Sequence, residues 1–440
     1  MRFVGLDVHK RVVEAAVIDE AGVLLFRYRF PCTREALSAF AGDRLSREDR
    51  VALEATTNTW AVVDVLAPLV GEVVVSNPLR TRAIAEAKVK TDKVDALVLA
   101  QLLRADYLPR VWTPDTQTRD LRSLTSRRAS LVQDRTGVKN RIHSILHLRL
   151  IPVPEKFDLF GTKGRAFLAA LDIDDLGRTA LESELRLLDG IDTELAGLAR
   201  LLDLRGYVDS RVRLLMTLPG VDVAVAQTLL AVFGDHSRFK DGDHAASYLG
   251  LVPSTHQSAD NCYHGHITKH GKGHARWILV QAAQHLGSHP GPLGVFFRRL
   301  TRKKNRNVAV VATARKLVVI AWLMLKNGEP YRYALPRPTE RKLSRLRVAA
   351  TGRKKTGGLP KGSSRPPNYG SGVGSRTIPA LPDVYAAEGL PPVPPLAPGE
   401  LAAIKKARVV RYVLGLASTH RVPREASAKP PPPRANADPG

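Results

Sequence analysis

Cysteine is nearly absent. Cys32 and Cys262 are the only two in 440 residues, too few and too far apart for a disulfide framework or a four-cysteine zinc site, and in keeping with a reducing, cytoplasmic setting. Aromatic residues make up 6% of the chain and do not interleave with basic ones as a platform for stacking single-stranded bases would require. A Gly-rich loop ending in Lys and Ser or Thr is missing, so nucleotide hydrolysis is not indicated. No continuous apolar run precedes Asp7, which argues against a secretion signal. The longest apolar run, Val308 to Leu325, is broken by Arg315 and Lys316, each costing about 2.5 to 3.5 kcal/mol at a bilayer centre. A buried helix with its two basic side chains turned to a partner is expected there, and no membrane partner.

Acids are also in short supply: 42 Asp and Glu against 67 Lys and Arg leave a formal net charge of +25. That excess goes beyond what solubility needs and implies a polyanion, with nucleic acid ahead of a membrane surface. At this length the chain can build two or three domains with real cores.

The N-terminal third reads as mixed α/β. Strands are predicted over Arg2 to Leu6, Val12 to Ile18 and Val23 to Phe30, the last two joined by a turn at Asp19-Glu20-Ala21-Gly22. Then follow a helix over Glu35 to Phe40, a strand over Arg50 to Leu53, a helix over Trp60 to Leu69, a strand over Glu72 to Val75 and helical segments from Leu79 to Tyr107. A β-meander followed by alternating helices and parallel strands is the order of a ribonuclease-H-like fold. The expected division is a catalytic domain over 1–112, a helical, coiled-coil-like spacer over 113–207, a mainly α C-terminal domain over 208–335, and a Pro/Gly/Arg-rich disordered tail over 336–440. In the spacer, Leu124, Leu131, Val138 and Ile145 recur every seven residues, as do Leu181, Leu188, Leu195 and Leu202. An antiparallel hairpin and a compact helical bundle both fit. Leu215 to Gly220 leading into Val223 to Phe233 resembles a helix-hairpin-helix element.

Against this basic background four acids stand at structured places. Asp7 closes one apolar strand, Glu54 closes another, and Asp92 and Asp95 lie one helical turn apart. Hard cations want carboxylate oxygens on rigid elements, and phosphodiester chemistry wants such cations, so Mg²⁺ or Mn²⁺ is the expected cofactor. The bland reading makes Asp92 an N-cap and Asp95 a first-turn acid. Lys10, Lys90 and Lys93 adjoin the acids and are placed to neutralise them or to contact strand phosphates. Farther on, Lys269, Lys272, Arg276, Arg298, Arg299, Arg302, Lys303, Lys304 and Arg306 make a basic region suited to a DNA backbone. His256, Cys262, His264, His266, His270 and His274 invite a zinc reading. Without paired CxxC spacing, phosphate contacts are preferred.

These segments resemble a known family. Gly5-Leu6-Asp7-Val8-His9-Lys10, Leu53-Glu54-Ala55-Thr56 and Lys90-Thr91-Asp92-Lys93-Val94-Asp95-Ala96 are similar to three signature segments of the DEDD transposases of the IS110 insertion-sequence family. Leu218-Pro219-Gly220-Val221, Tyr248-Leu249-Gly250-Leu251-Val252-Pro253, Gln257-Ser258, His266-Ile267-Thr268-Lys269-His270-Gly271 and Ala314-Arg315-Lys316-Leu317 follow its second domain in order. The resemblance covers about 1–335 and implies a RuvC-like N-terminal domain with Asp7, Glu54, Asp92 and Asp95 as metal ligands. It also implies that Ser258 attacks DNA to form a covalent phosphoserine, with double-stranded DNA and a non-coding guide RNA as partners; the separation of acids and serine into different domains makes assembly, with further copies of the chain, an expected condition of activity. His256 is a candidate proton carrier for Ser258, and Ser254 and Thr255 are its rivals as nucleophile. The chain departs from the family pattern at Thr57, Asp222 and Ala259-Asp260, where glycines are usual. Two other functions fit the residues: a RuvC-like nuclease or junction resolvase that uses water, and a non-catalytic nucleic-acid-binding descendant.

Overall fold

The computed structural model describes residues 1–84, 91–258, 261–353 and 375–423. Its contacts divide the chain into two compact units, Met1–Pro114 and Asp115–Gly440.

Unit 1 is a five-stranded mixed sheet with helices on both faces. Strands β1 (Phe3–Val8), β2 (Val12–Ile18) and β3 (Leu24–Pro31) form an antiparallel meander, while β4 (Arg50–Glu54) and β5 (Glu72–Ser76) run parallel to β1, in the order β3-β2-β1-β4-β5. The parallel neighbours need crossovers, which α1 (Arg34–Arg44) and α2 (Thr59–Leu66) provide. Because side chains alternate along a strand, β1, β2, β4 and β5 each feed two cores, while the mostly exposed β3 adds Phe30 to the first alone. Val4, Leu6, Val13, Val51 and Leu53 pack with Leu37, Phe40, Val62 and Leu66 on one face. Phe3, Ile18, Ala52 and Val74 pack with Leu99, Ala100 and Leu103 on the other. The second group comes from α4 (Asp92–Arg104), which follows α3 (Pro78–Ile84). Burial on both faces explains why β1, β4 and β5 read as largely apolar runs.

Unit 2 is mainly helical. Helices α5 (Thr116–His147) and α7 (Asp175–Val208) form an antiparallel hairpin, and α6 (Thr162–Ala169) lies between them in the chain. Arg135 pairs with Asp192 at 2.5 Å, Arg141 with Glu184 at 2.6 Å and Arg149 with Asp174 at 2.7 Å, partners running in opposite order along the two helices. Such exposed pairs add about 0 to 1 kcal/mol each. The seam itself is apolar: Leu131, Val138, Leu181, Leu188 and Leu202 are buried, but Ile142 and Leu146 fill the place expected of Ile145. A straight helix drifts against a seven-residue repeat, and Leu159 and Leu168 from the connecting segment cover the tip.

The chain continues through α8 (Ser210–Leu215), α9 (Val223–Phe233), α10 (Gly242–Tyr248), the two-stranded ribbon β6 (Pro253–Ser258) and β7 (Asn261–Ile267), α11 (Gly273–Gln284), α12 (Pro292–Thr301) and α13 (Arg306–Asn327). The apolar run with Arg315 and Lys316 is α13, long and apolar enough to cross a membrane. Ala309, Ala314, Leu317, Val318 and Trp322 on it lie in the unit's core. Arg315 is paired within the chain, with Asp243 at 3.0 Å. The Pro-Gly turn between α8 and α9 faces inward: a Cβ on Gly220 would sit 2.3 Å from the Ala282 carbonyl oxygen. Asp222 caps α9 by accepting from the Val225 amide.

The expectation of disorder from residue 336 is corrected for 336–353 and 375–423; residues 354–374 and 424–440 lie outside the described residues. Helices α14 (Pro336–Thr351), α15 (Leu381–Ala387), α16 (Pro398–Lys406) and α17 (Val410–Gly415) and the ribbon β8 (Ser375–Ile378) with β9 (His420–Pro423) are folded. The anchor is Tyr385, fully buried, whose hydroxyl donates to the Tyr331 carbonyl at 2.6 Å. Lys342 donates to the carbonyls of Leu218 and Val221, and Arg347 pairs with Glu388 at 2.6 Å. Composition averaged over a Pro-rich stretch hides single anchors of this kind. Tyr385→Ala is expected to lower the unfolding free energy by about 3 to 5 kcal/mol, and Tyr385→Phe by about 0.5 to 1.5 kcal/mol, in equilibrium urea unfolding. A dispensable tail would leave both at the wild-type value.

Candidate metal centre

Strand geometry brings the first two acids side by side. The parallel register runs from Phe3 opposite Arg50 to Leu6 opposite Leu53, so Asp7 and Glu54 are the next positions at the C-terminal ends of β1 and β4. Alternation puts Asp7 on the same face as Phe3 and Gly5, and Glu54 on that of Ala52, which is the face covered by α4. Gly5 sets how closely α4 can lie. A Cβ there would stand 1.9 Å from the Ala96 carbonyl oxygen and 2.6 Å from the Ala100 amide nitrogen. Only the missing side chain lets the helix rest on β1, with Asp92 and Asp95 in its first turn.

The cap of α4 is Thr91, whose hydroxyl accepts from the Val94 amide. Asp92 is therefore not the N-cap, and its carboxylate is left for the site. One ligand atom each from Asp7, His9 and Asp92 lie within 4.8 Å of one another. His9 Nε2 is 3.1 Å from Asp7 Oδ2 and 3.4 Å from Asp92 Oδ1. Asp7 is 21% exposed, His9 49% and Asp92 50%, so the cluster is anchored at Asp7 and open outward. Burial raises the Asp7 carboxyl above its ordinary value, His9 opposes this, and the charges of Asp92 and Asp95 push it up further. An acid at a rigid sheet edge whose proton affinity is raised by burial and by its neighbours' charges is what a hard cation relieves. The 3.1 and 3.4 Å from His9 Nε2 to the two carboxylates are of the order of the spacing between neighbouring ligands of a six-coordinate divalent ion, about 3 Å at bonds of about 2.1 Å. The donor set fits a divalent metal.

The surrounding bases are less telling. Lys10 and Lys93 are exposed beside the acids, and Lys90 lies outside the described residues. His9 is the member that reading by residue type passed over, although its place two positions after Asp7 was the available signal.

Ser258 stands in unit 2. It ends strand β6, opposite Asn261 at the tip of the ribbon, with His256 two residues earlier opposite Tyr263. The ribbon is exposed at Thr255, Gln257, Cys262 and Tyr263, so no apolar alternation marked it as strand. Ala259 and Asp260 lie outside the described residues. The base of the ribbon is fixed by Arg276, which donates to the carbonyls of Leu249, His270 and Gly271. That guanidinium, expected on nucleic acid, is turned to the backbone. Lys269, Lys272, Arg302, Lys303 and Lys304 are all exposed.

Two family models match the chain and together cover a little over half of it. The DEDD model of IS110 elements, described as a transposase, matches residues 4–150, and one described as a transposase of the IS116/IS110/IS902 family matches residues 212–294. The chain is similar to an uncharacterized protein of insertion element IS116 from Streptomyces clavuligerus, 25% identical over 391 residues, 76% of this chain and 97% of that protein. It is similar to the transposase for insertion sequence element IS1111A from Coxiella burnetii, 23% identical over 76% of this chain and 92% of that one. A pilin gene-inverting protein of Moraxella lacunata is 27% identical over 59% of this chain and 74% of its own length. With the four acids inside the first matched segment and Ser258 inside the second, the chain belongs to the IS110 family of DNA transposases.

Proposed function

We propose that this transposase cuts and rejoins duplex DNA with Asp7, Glu54, Asp92 and Asp95 holding Mg²⁺ or Mn²⁺ and Ser258 as nucleophile. The observation that carries the metal half is the meeting of Asp7 and Asp92 at one sheet edge, with Asp7 held above its ordinary proton affinity. The strand order, a meander followed by two parallel strands, supports a RuvC-like sheet, in which the ends of β1 and β4 carry the acids. A bound cation would stabilise the charge that develops on the phosphate oxygens.

Ser258 Oγ attacks phosphorus, the Oγ–P bond forms as one P–O bond of the strand breaks, and the serine proton passes to a base while the departing oxygen takes a proton from water and leaves as a hydroxyl. The ester keeps the energy of the broken bond for rejoining. His256, two residues before Ser258 in the same strand, is the base candidate. Rejoining suits a relative named for inverting a pilin gene, where strands must be resealed. The exposed lysines and Arg302 supply backbone contacts to DNA. By the family resemblance a guide RNA joins the assembly, and the placing of acids and serine in different units makes a second copy of the chain a further expected member.

Ser258→Ala separates this reading from a water-using nuclease. With end-labelled DNA and Mg²⁺, the wild type is expected to leave a covalent protein–DNA adduct in denaturing gels and the variant none, with cleavage lost as well. Continued cutting by the variant would move the assignment to hydrolysis.

A further inference from the structure

We infer that His9 is a nitrogen ligand of the metal centre, making it a mixed oxygen and nitrogen site that takes Mn²⁺ in preference to Mg²⁺. This rests on the reading of the acids as metal ligands given above. His9 immediately follows β1, and its amide donates to the Val12 carbonyl at 2.9 Å, closing the turn into β2. The turn fixes the backbone from which the imidazole returns toward the acids. Nε2 then stands between two carboxylates from different elements, 3.1 Å from Asp7 Oδ2 and 3.4 Å from Asp92 Oδ1.

Those two separations are near the edge of a metal octahedron, about 2.9 to 3.0 Å for Mg²⁺ and somewhat longer for a larger ion. The same nitrogen that hydrogen-bonds Asp7 is therefore already in the place of a neighbouring ligand. A ring in this position does not behave as a third carboxylate. Imidazole is a poor donor to Mg²⁺, which demands oxygen, and a better one to first-row transition ions. Half of His9 is exposed, so its role does not come from core packing, and its replacement leaves the sheet intact.

The test uses the full chain loaded with one equivalent of Mn²⁺. Electron spin echo modulation from a directly bound ¹⁴N is expected in the wild type and absent in His9→Gln. By calorimetry, His9→Gln is expected to weaken Mn²⁺ about tenfold or more while changing Mg²⁺ affinity by less than about threefold; His9→Ala serves as the second variant. Wild-type modulation absent, with Mn²⁺ binding lost in Asp7→Asn, would overturn the role of His9 and leave the acids in place. Undiminished Mn²⁺ binding in Asp7→Asn would overturn the metal centre itself.

Discussion

Asp7→Asn is expected to abolish strand cleavage and, in the same protein, to raise the melting temperature measured without metal. Cleavage falls because the amide no longer offers the charged oxygen at the acid where the cluster is anchored to the sheet. Several kcal/mol of transition-state stabilisation goes with the metal, on the order of 10³-fold or more in rate. Stability rises because burial and the charges of Asp92 and Asp95 raise the folded-state Asp7 carboxyl above its ordinary value of 3.8. A carboxyl raised on folding binds its proton more tightly in the native state. Its contribution to stability is thus present below the unfolded value and is lost as pH climbs through the raised one. Paired thermal melts in chelator should converge near and below pH 3.8 and separate above it, with Asp7→Asn the more stable at neutrality. Magnesium should reverse the order, since a ligand at 100 times its Kd stabilises the native state by about 2.7 kcal/mol. A variant that cleaves normally, or melts below the wild type in chelator, would contradict this.

Gly5→Ala is expected to damage both the fold and the site through one methyl group. Its Cβ would meet backbone atoms of α4, at 1.9 Å from Ala96 O and 2.6 Å from Ala100 N, and backbone atoms do not step aside as side-chain ends do. The helix must lift from β1, at about 1 to 3 kcal/mol or more for such overpacking. Because α4 carries Asp92 and Asp95, cleavage should drop further than the loss of stability accounts for. Gly42 in α1 is the control: a Cβ there meets nothing within 4 Å, and Gly42→Ala should stabilise by about 0.5 to 1 kcal/mol. Urea unfolding and cleavage rates on the two variants check the contrast. Equal behaviour would mean that the contact of α4 with β1 is not as close as described.

Much of unit 1 was readable from sequence because β1, β2, β4 and β5 are buried on both faces, so β-branched runs stand out without any alternation to interpret. The acids were readable because carboxylates at strand ends and at i and i+3 on a helix are rare in so basic a chain. What α4 needs from β1 was less visible. Gly5 offered closeness to something, and only the fold shows that the something is Ala96 and Ala100. Thr91 as the cap of α4, which frees Asp92, is likewise a local choice that two neighbouring capping residues leave open in sequence. His9 was passed over because a half-exposed histidine beside a strand has many uses until distances fix one. The ribbon ending at Ser258 is exposed and so carries no burial pattern that would mark it as strand in sequence, and Tyr385 is lost in the composition around it.

The account depends on Asp7, Glu54, Asp92 and Asp95 acting as one centre for a divalent ion. Calorimetric titration of Mg²⁺ and Mn²⁺ into the metal-free full chain measures this without DNA. Saturable binding that disappears in Asp7→Asn and in Asp92→Asn is expected, and binding that both variants keep at wild-type strength would contradict it.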